Sequence, residues 1–225
     1  MIWQDKGFLL AKNKYSENSS IVDFFTKNNG KVTGVIYGST SKKIKNYLLI
    51  GNKFHLNFSH KNEGRLGYFK IEIDNIHTPF YLENQKKLLC ISYVMNLIKI
   101  LTVDNQENIL IYNLIDELFV IIKNEDWLVS FIFWELKFYK IIGYDVDFSN
   151  YVKKFIENGK SKYIVESNQK IIPNFMINGS FDNISNQDII AGIKIVGDFL
   201  EKTILRPNNL NLPLSRNQFL NSIKK

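Results

Sequence analysis

Over the first 78 residues, apolar and polar positions alternate in short runs separated by turn-forming residues. Gly7–Asn13 is a short apolar run, and Ser19–Thr26 is β-branched and aromatic. Asn28-Asn29-Gly30 is a turn signal, because Asn and Gly tolerate positive φ, so Lys31–Tyr37 reads as the second arm of a hairpin. Within Tyr47–Phe58, Phe54, Leu56 and Phe58 share one face and Lys53, His55 and Asn57 the other. A further turn is expected at Asn62-Glu63-Gly64. Leu66–Ile73 then alternates again, with Tyr68, Lys70 and Glu72 opposite Phe69, Ile71 and Ile73. Five short strands with tight turns predict a small closed barrel over residues 1–78.

The period changes from two to about 3.6 at Thr78-Pro79, where Thr78 suits a helix cap and Pro79 a first turn. A first helix is expected from there to about Leu101, with Leu82, Leu89, Tyr93, Leu97 and Ile100 at helical spacing. A second is expected over about Glu107–Lys123, and a third over about Asp126–Ile142, stopped by Gly143. The third is apolar around most of its circumference, which predicts a central helix. Lys162–Ser167 and Lys170–Ile172 read as a short hairpin around Asn168-Gln169. Ser185-Asn186-Gln187-Asp188 resembles a capping box and opens a helix to about Leu205, ended by Pro207. Ser215-Arg216-Asn217-Gln218 is a second such start, for a short last helix. The fold class expected is α+β in two domains: a five-stranded β-barrel over 1–78 and an α-helical domain over 79–225.

Charge sharpens this division. The chain carries a formal net charge of +7, with 29 Lys and Arg against 22 Asp and Glu. Residues 1–78 hold 12 basic and 6 acidic residues, and residues 79–225 hold 17 and 16. A compositional bias toward Lys would spread the excess evenly. Its concentration in the barrel points to a localised anion-binding face. Cys90 is the single cysteine and reads as a buried apolar residue; it can form neither an intrachain disulfide nor a thiolate metal site alone. The start, MIWQDKGFLL, has no basic segment followed by a long apolar run, and Trp127–Tyr144 is broken by Glu135, Lys137 and Lys140. Neither a signal peptide nor a membrane span is expected, and a cytoplasmic location follows.

Enzymatic constellations are scarce. His55, His60 and His77 lack metal-ligand spacing, and no GxSxG, Walker A or GxGxxG motif occurs. Asp145 and Asp147 form the one DxD, which reads as a solvated loop or as a metal-binding pair. Binding signals are stronger. Lys42, Lys43 and Lys45 lie in GSTSKKIKN, a Gly/Ser/Thr-rich loop between two strands, where cations reach phosphates without base-specific geometry. Lys12, Lys14 and Lys31 are expected on or near the same face. Tyr15, Phe24, Tyr37 and Tyr68 are candidate base-stacking aromatics.

These residues resemble the RecO family. The resemblance is carried by Trp3-x-Asp5-x-Gly7-Phe8-Leu9-Leu10, Tyr15-Ser16-Glu17-Asn18-Ser19, the strand to Phe25-Thr26, Asn29-Gly30-Lys31 and Gly38–Lys43. It continues in Trp134-Glu135-Leu136 through Ile142-Gly143-Tyr144-Asp145-Val146-Asp147-Phe148, and in Leu212-Pro213-Leu214-Ser215-Arg216-Asn217-Gln218-Phe219-Leu220. The resemblance implies an N-terminal OB-fold, a helical second domain, and no enzymatic activity. It implies binding of single- and double-stranded DNA, annealing of complementary strands, and loading of recombinase onto DNA covered by single-strand-binding protein, at the bacterial nucleoid. It further implies RecR as a partner, and the acidic tail of single-strand-binding protein as a ligand of the helical domain.

Many family members carry a four-cysteine zinc site after the helix that ends at Gly143-Tyr144. Phe148–Ser167 contains no cysteine here, so no zinc is expected, and Phe148, Tyr151, Phe155 and Ile164 are expected to hold that segment by apolar contacts. The chain uses Lys almost throughout and has three arginines, Arg65, Arg206 and Arg216. Arg206 and Arg216, with Phe199 and Phe219 (and Ile195 and Leu220), are the candidate site for an acidic partner tail, since guanidinium forks suit carboxylates. Two other readings stay open: an RNA-binding OB protein of translation or RNA processing, and a metal-dependent hydrolase or transferase built on Asp145 and Asp147.

Overall fold

The computed structural model describes residues 2–60, 66–157, 160–165 and 170–224. Arg65 and the turns expected at 62–64 and at Asn168-Gln169 lie outside the described residues. The chain forms two compact units, Met1–Phe119 with Pro213–Ser222, and Val120–Leu212 with Ile223–Lys225.

The first unit is built on a closed barrel of β1 (Ile2–Ser16), β2 (Ser19–Thr26), β3 (Gly30–Tyr37), β4 (Lys53–Ser59) and β5 (Gly67–Asn75), in the order β1-β2-β3-β5-β4. All pairings are antiparallel except the parallel closure of β3 on β5, Gly34↔Gly67 and Val35↔Tyr68. The alternation in β4 holds, with Phe54, Leu56 and Phe58 inside beside Leu9, Val22, Phe24, Val32, Ile36 and Phe69. Tyr47 and Leu48 precede β4 instead of opening it. Leu48 is buried with this core, and a one-turn helix, α1 (Lys42–Lys45), lies before it.

β2 is buried on almost every residue, its polar Ser19, Ser20, Asp23 and Thr26 included. The outer face of β1 is covered in turn by α2 (Gln85–Leu101) and, at Phe8, by α3 (Ile109–Ile121). Phe8 meets Tyr112 at 5.3 Å and Phe119 at 6.1 Å between ring centroids. Burial of these outer apolar side chains is why the compact unit runs past residue 78, where the strand pattern gives way to a helical one.

Thr78 does not cap a helix. Its hydroxyl donates to the Ile50 carbonyl at 2.5 Å, and the N–H groups of His77 and Thr78 both donate to the buried Asn52 Oδ1. Thr78–Tyr81 is a single 3-10 turn, and α2 starts six residues later than the cap signal implied, with Asn84 accepting from the Lys87 N–H.

Gly30 takes a positive φ of +64°, and a Cβ placed there would lie 1.9 Å from the Gln106 carbonyl oxygen. The β2–β3 hairpin is therefore locked against the loop that follows α2. Gly30→Ala is expected to destabilise the protein by about 2–4 kcal/mol, through left-handed strain plus a backbone collision. Equilibrium denaturation checks this, and an unchanged midpoint would contradict it.

The second unit is organised around α4 (Trp127–Ile141), whose Phe131, Ile132, Trp134, Phe138 and Tyr139 are buried. Gly143 closes it at a φ of +96°, as its C-terminal position requires. A small sheet of β6 (Val152–Glu157), β7 (Lys160–Val165) and β8 (Ile171–Ile172) follows, then α5 (Phe175–Asn178) and α6 (Asn186–Phe199). The capping box at Ser185 and Asp188 is formed. The expected continuation to Leu205 is a π-helix, Leu200–Leu205, with Arg206–Asn208 a 3-10 turn. α7 (Leu214–Ile223) starts one residue before Ser215, so Ser215 lies inside the helix and caps nothing.

Candidate nucleic-acid interface

The basic turn after β3 is held by small polar side chains. Gly38 takes a φ of +72° and its N–H donates to the Asn18 carbonyl at 2.7 Å. The Thr40 hydroxyl donates to Asn18 Oδ1 at 2.5 Å, and the hydroxyls of Ser20 and buried Ser39 are 2.8 Å apart. These bonds seat the turn on the β1–β2 hairpin. Ile44 packs against the barrel core, which leaves Lys42, Lys43 and Lys45 exposed on the other faces of α1.

Two further lysines belong to the same end of the barrel. Lys12 and Lys14, two residues apart on one face of β1, are both exposed, and Lys14 is in register with Ser20. The Lys12 ammonium donates to the Leu48 carbonyl at 3.0 Å, which ties β1 to the segment carrying α1. Five of the six predicted cations are thus gathered at one end.

Lys31 is the exception and corrects the expectation. Its ammonium donates to the carbonyls of Lys99 and Thr102 at 2.7 and 2.6 Å and pairs with Asp104 at 3.1 Å. It satisfies the orphan carbonyls at the C-terminus of α2, where a cation is favoured, and is withdrawn from the basic turn. Phe24 is likewise corrected: it is a core residue with no exposed surface. Tyr37 and Tyr15 are 66% and 58% exposed, and Tyr68 is half-buried with its ring 6.2 Å from that of Tyr37.

A second charged cluster lies on the outer face of β1, β4 and β5. Asp74 Oδ1 is 2.7 Å from Lys6 Nζ and 2.7 Å from His55 Nε2. Burial pulls the Asp74 carboxyl upward, but the hydrogen bond and charge of Lys6, with the charges of His55 and Lys53, outweigh it and hold the group below the ordinary carboxylate range. His55 is therefore an outward strand residue beside a carboxylate. Lys53 is occupied by Asp116 at 2.8 Å.

The predicted acidic-tail site is not assembled as expected. In the first unit, Arg216 is 2% exposed, with its guanidinium carbon 4.8 Å from the centre of the Tyr93 ring, and Phe219 is wholly buried against the same tyrosine. Both are core residues: α7 presents them inward. In the second unit, Arg206 is exposed and pairs with Glu201 at 2.6 Å. Phe199 lines a groove of about 840 Å³ with Ile195, Val146 and Phe148, and with Lys170 and Lys202 at its edge.

The DxD pair is structural. Asp145 pairs with Lys140 at 2.9 Å. Asp147 accepts from the Ser149 hydroxyl and N–H and from Asn150, and the Ser149 bonds hold its carboxyl below the ordinary range. Among the described residues, no three His, Cys, Asp or Glu side chains are gathered as a metal site would need. No helix among them is long and apolar enough to cross a membrane.

Two family models match the chain: Recombination protein O N terminal over residues 1–75, and Recombination protein O C terminal over residues 82–210. The chain belongs to the RecO family. The seam between the two matches falls where β5 ends and α2 has yet to begin. Relatives of this chain include a protein named DNA repair protein RecO from Ehrlichia chaffeensis, 29% identical over 66% of this chain and 61% of its own. A Wolbachia relative of the same name, from the strain of Drosophila simulans, is 27% identical over 98% of this chain and 99% of its own. One from Rhodospirillum centenum is 18% identical over 100% and 96%. The chain thus spans about three fifths of the Ehrlichia relative and nearly all of the other two. The closed five-stranded barrel followed by helices is consistent with the OB-fold and helical domain that the family resemblance implies.

Sequence reasoning missed a local charge signal in the second unit. Residues 152–165 carry Lys153, Lys154, Lys160 and Lys162 against Glu157, a basic hairpin hidden inside a nearly neutral half. Counting charge per hairpin instead of per domain would have found it.

Proposed function

We propose that this RecO-family chain is a non-enzymatic DNA repair protein that binds single strands through the basic end of its barrel, anneals complementary strands, and assists recombinase loading onto DNA covered by single-strand-binding protein. The observation that carries this reading is the gathering of Lys12, Lys14, Lys42, Lys43 and Lys45 around one polar-seated turn. Cations on a single turn neutralise phosphates on approaching strands and lower the repulsion between them, while no bond is made or broken. The names of the relatives, all DNA repair protein RecO, favour DNA over RNA as the partner.

The remaining partners follow the family. RecR is the proposed protein partner, at the nucleoid in the cytoplasm. The acidic tail of single-strand-binding protein is proposed to bind the groove of the second unit: Phe199 and Ile195 offer an apolar wall and Lys202 offers charge, while Lys170 is paired with Asp198. No zinc is proposed for the segment after α4.

Two complementary oligonucleotides of about 30 nucleotides, mixed with stoichiometric protein, test the central reading. Duplex formation is expected to accelerate at least about tenfold in dilute buffer and to lose that acceleration as salt is raised. An unchanged annealing rate would overturn it. Competition by RNA of the same length, if it proved stronger than DNA, would move the function to RNA.

A further inference from the structure

Two tyrosines stand on the outer wall of the barrel beside the basic turn, and the core does not account for them. Tyr37 is the last residue of β3, directly before the Gly38 turn that leads to α1. Tyr68 lies on the neighbouring strand β5, in register with Val35, two residues before Tyr37 on the same face. The residues that flank them, Ile36 and Phe69, fill the barrel, so Tyr37 and Tyr68 face out. Their ring centroids are 6.2 Å apart with planes inclined at 55°, so the two rings are not stacked on one another. Tyr37 remains 66% exposed.

We infer that Tyr37 and Tyr68 form a base-stacking platform that makes the barrel prefer unpaired strand to duplex and presents the stacked bases with their pairing edges free. The inference rests on the reading of the basic turn as the backbone site, and it adds what that site lacks. Lysines alone give no preference for a single strand, since the duplex carries the higher density of phosphate charge. A ring face on the wall is reached only by a base that has left its stack. Stacking engages the face of a base and leaves its Watson–Crick edge open. A strand held by phosphate on the lysines and by base face on the tyrosines is therefore poised to meet a complement. Lys70, exposed and two residues beyond Tyr68 on the same face, extends the cationic border along β5.

The test crosses protein variants with ligand variants. Wild type, Tyr37→Ala/Tyr68→Ala, Tyr37→Phe/Tyr68→Phe and Lys42→Ala/Lys43→Ala/Lys45→Ala are titrated by fluorescence anisotropy. The ligands are a labelled 20-nucleotide single strand, an abasic strand of the same length, and a 20-base-pair duplex. The alanine pair is expected to lower affinity for the base-bearing strand about 30-fold, at about 10-fold or somewhat less per ring. It should leave the abasic strand and the duplex within about twofold of wild type. The phenylalanine pair keeps the rings and is expected to bind as wild type does. The lysine variant should weaken on all three ligands.

The platform is refuted if the alanine pair binds the base-bearing strand as wild type does, or weakens equally on the abasic strand. If only the tyrosine variant loses affinity and the lysine variant loses none, the platform stands and the basic-turn reading falls. Both tyrosines reach the surface, and thermal melting of the alanine pair within about 2 °C of wild type confirms that folding is not what changed.

Discussion

Replacing Lys42, Lys43 and Lys45 together with alanine is expected to lower affinity for a single-stranded oligonucleotide about 100-fold in low salt. Each exposed ammonium contributes on the order of 1 kcal/mol to phosphate binding under those conditions. The slope of log affinity against log salt should also flatten by about 2, because three fewer phosphates release their counterions. Stability should hardly move. The three side chains point to solvent, and what seats the turn is Ile44 in the core and the Asn18, Ser20, Ser39 and Thr40 bonds beneath it. Anisotropy across a salt series, with a melting curve beside it, reads both quantities. Wild-type affinity in the variant would remove the basic turn from the site. A large drop in melting temperature would show that the lysines are structural.

The second large effect concerns the last helix. Phe219 has no exposed surface and lies nearly parallel to the Tyr93 ring at 6.3 Å, within the first unit. Phe219→Ala is expected to cost about 3–5 kcal/mol of folding stability, since truncating a buried aromatic loses transfer energy and leaves a cavity. Urea denaturation measures it. The surface site that the sequence suggested makes the opposite forecast: unchanged stability and weakened binding of an acidic peptide. A shift below about 1 kcal/mol would place Phe219 at the surface after all and return α7 to the partner site.

The barrel was legible because its signals are local. Asn28-Asn29-Gly30 fixes a hairpin through backbone conformation, and alternation in β4 and β5 names the inward residues directly. The helical elements were legible where periodicity ran long, as in α4 with its Gly143 stop. What stayed hidden depends on partners distant in sequence. Thr78-Pro79 carries a valid cap signal, but the Ile50 carbonyl and the Asn52 side chain claim the groups that a cap would use. Lys31 carries the same formal charge as Lys43, yet it meets two carbonyls about 70 residues away in sequence.

The same limit explains the arginines. Scarcity made Arg206 and Arg216 look alike, while packing separates them: one pairs on the surface with Glu201, and the other is buried over Tyr93. Phe24 and Tyr37 were equivalent as aromatics on strands. Burial of β2 on both faces excludes the first, and the end of β3 exposes the second. Charge legibly placed the candidate site in the barrel, but the selection of side chains within it required the fold.

The salt dependence of single-strand binding by the unmodified protein tests the central claim most directly. An unstructured labelled oligonucleotide of about 30 nucleotides is titrated between 50 and 200 mM monovalent salt. Four to five phosphates neutralised at the basic end predict a log–log slope near −3 and an affinity loss of roughly 50- to 100-fold over that range. A slope near zero, or no binding at 50 mM, would contradict the account.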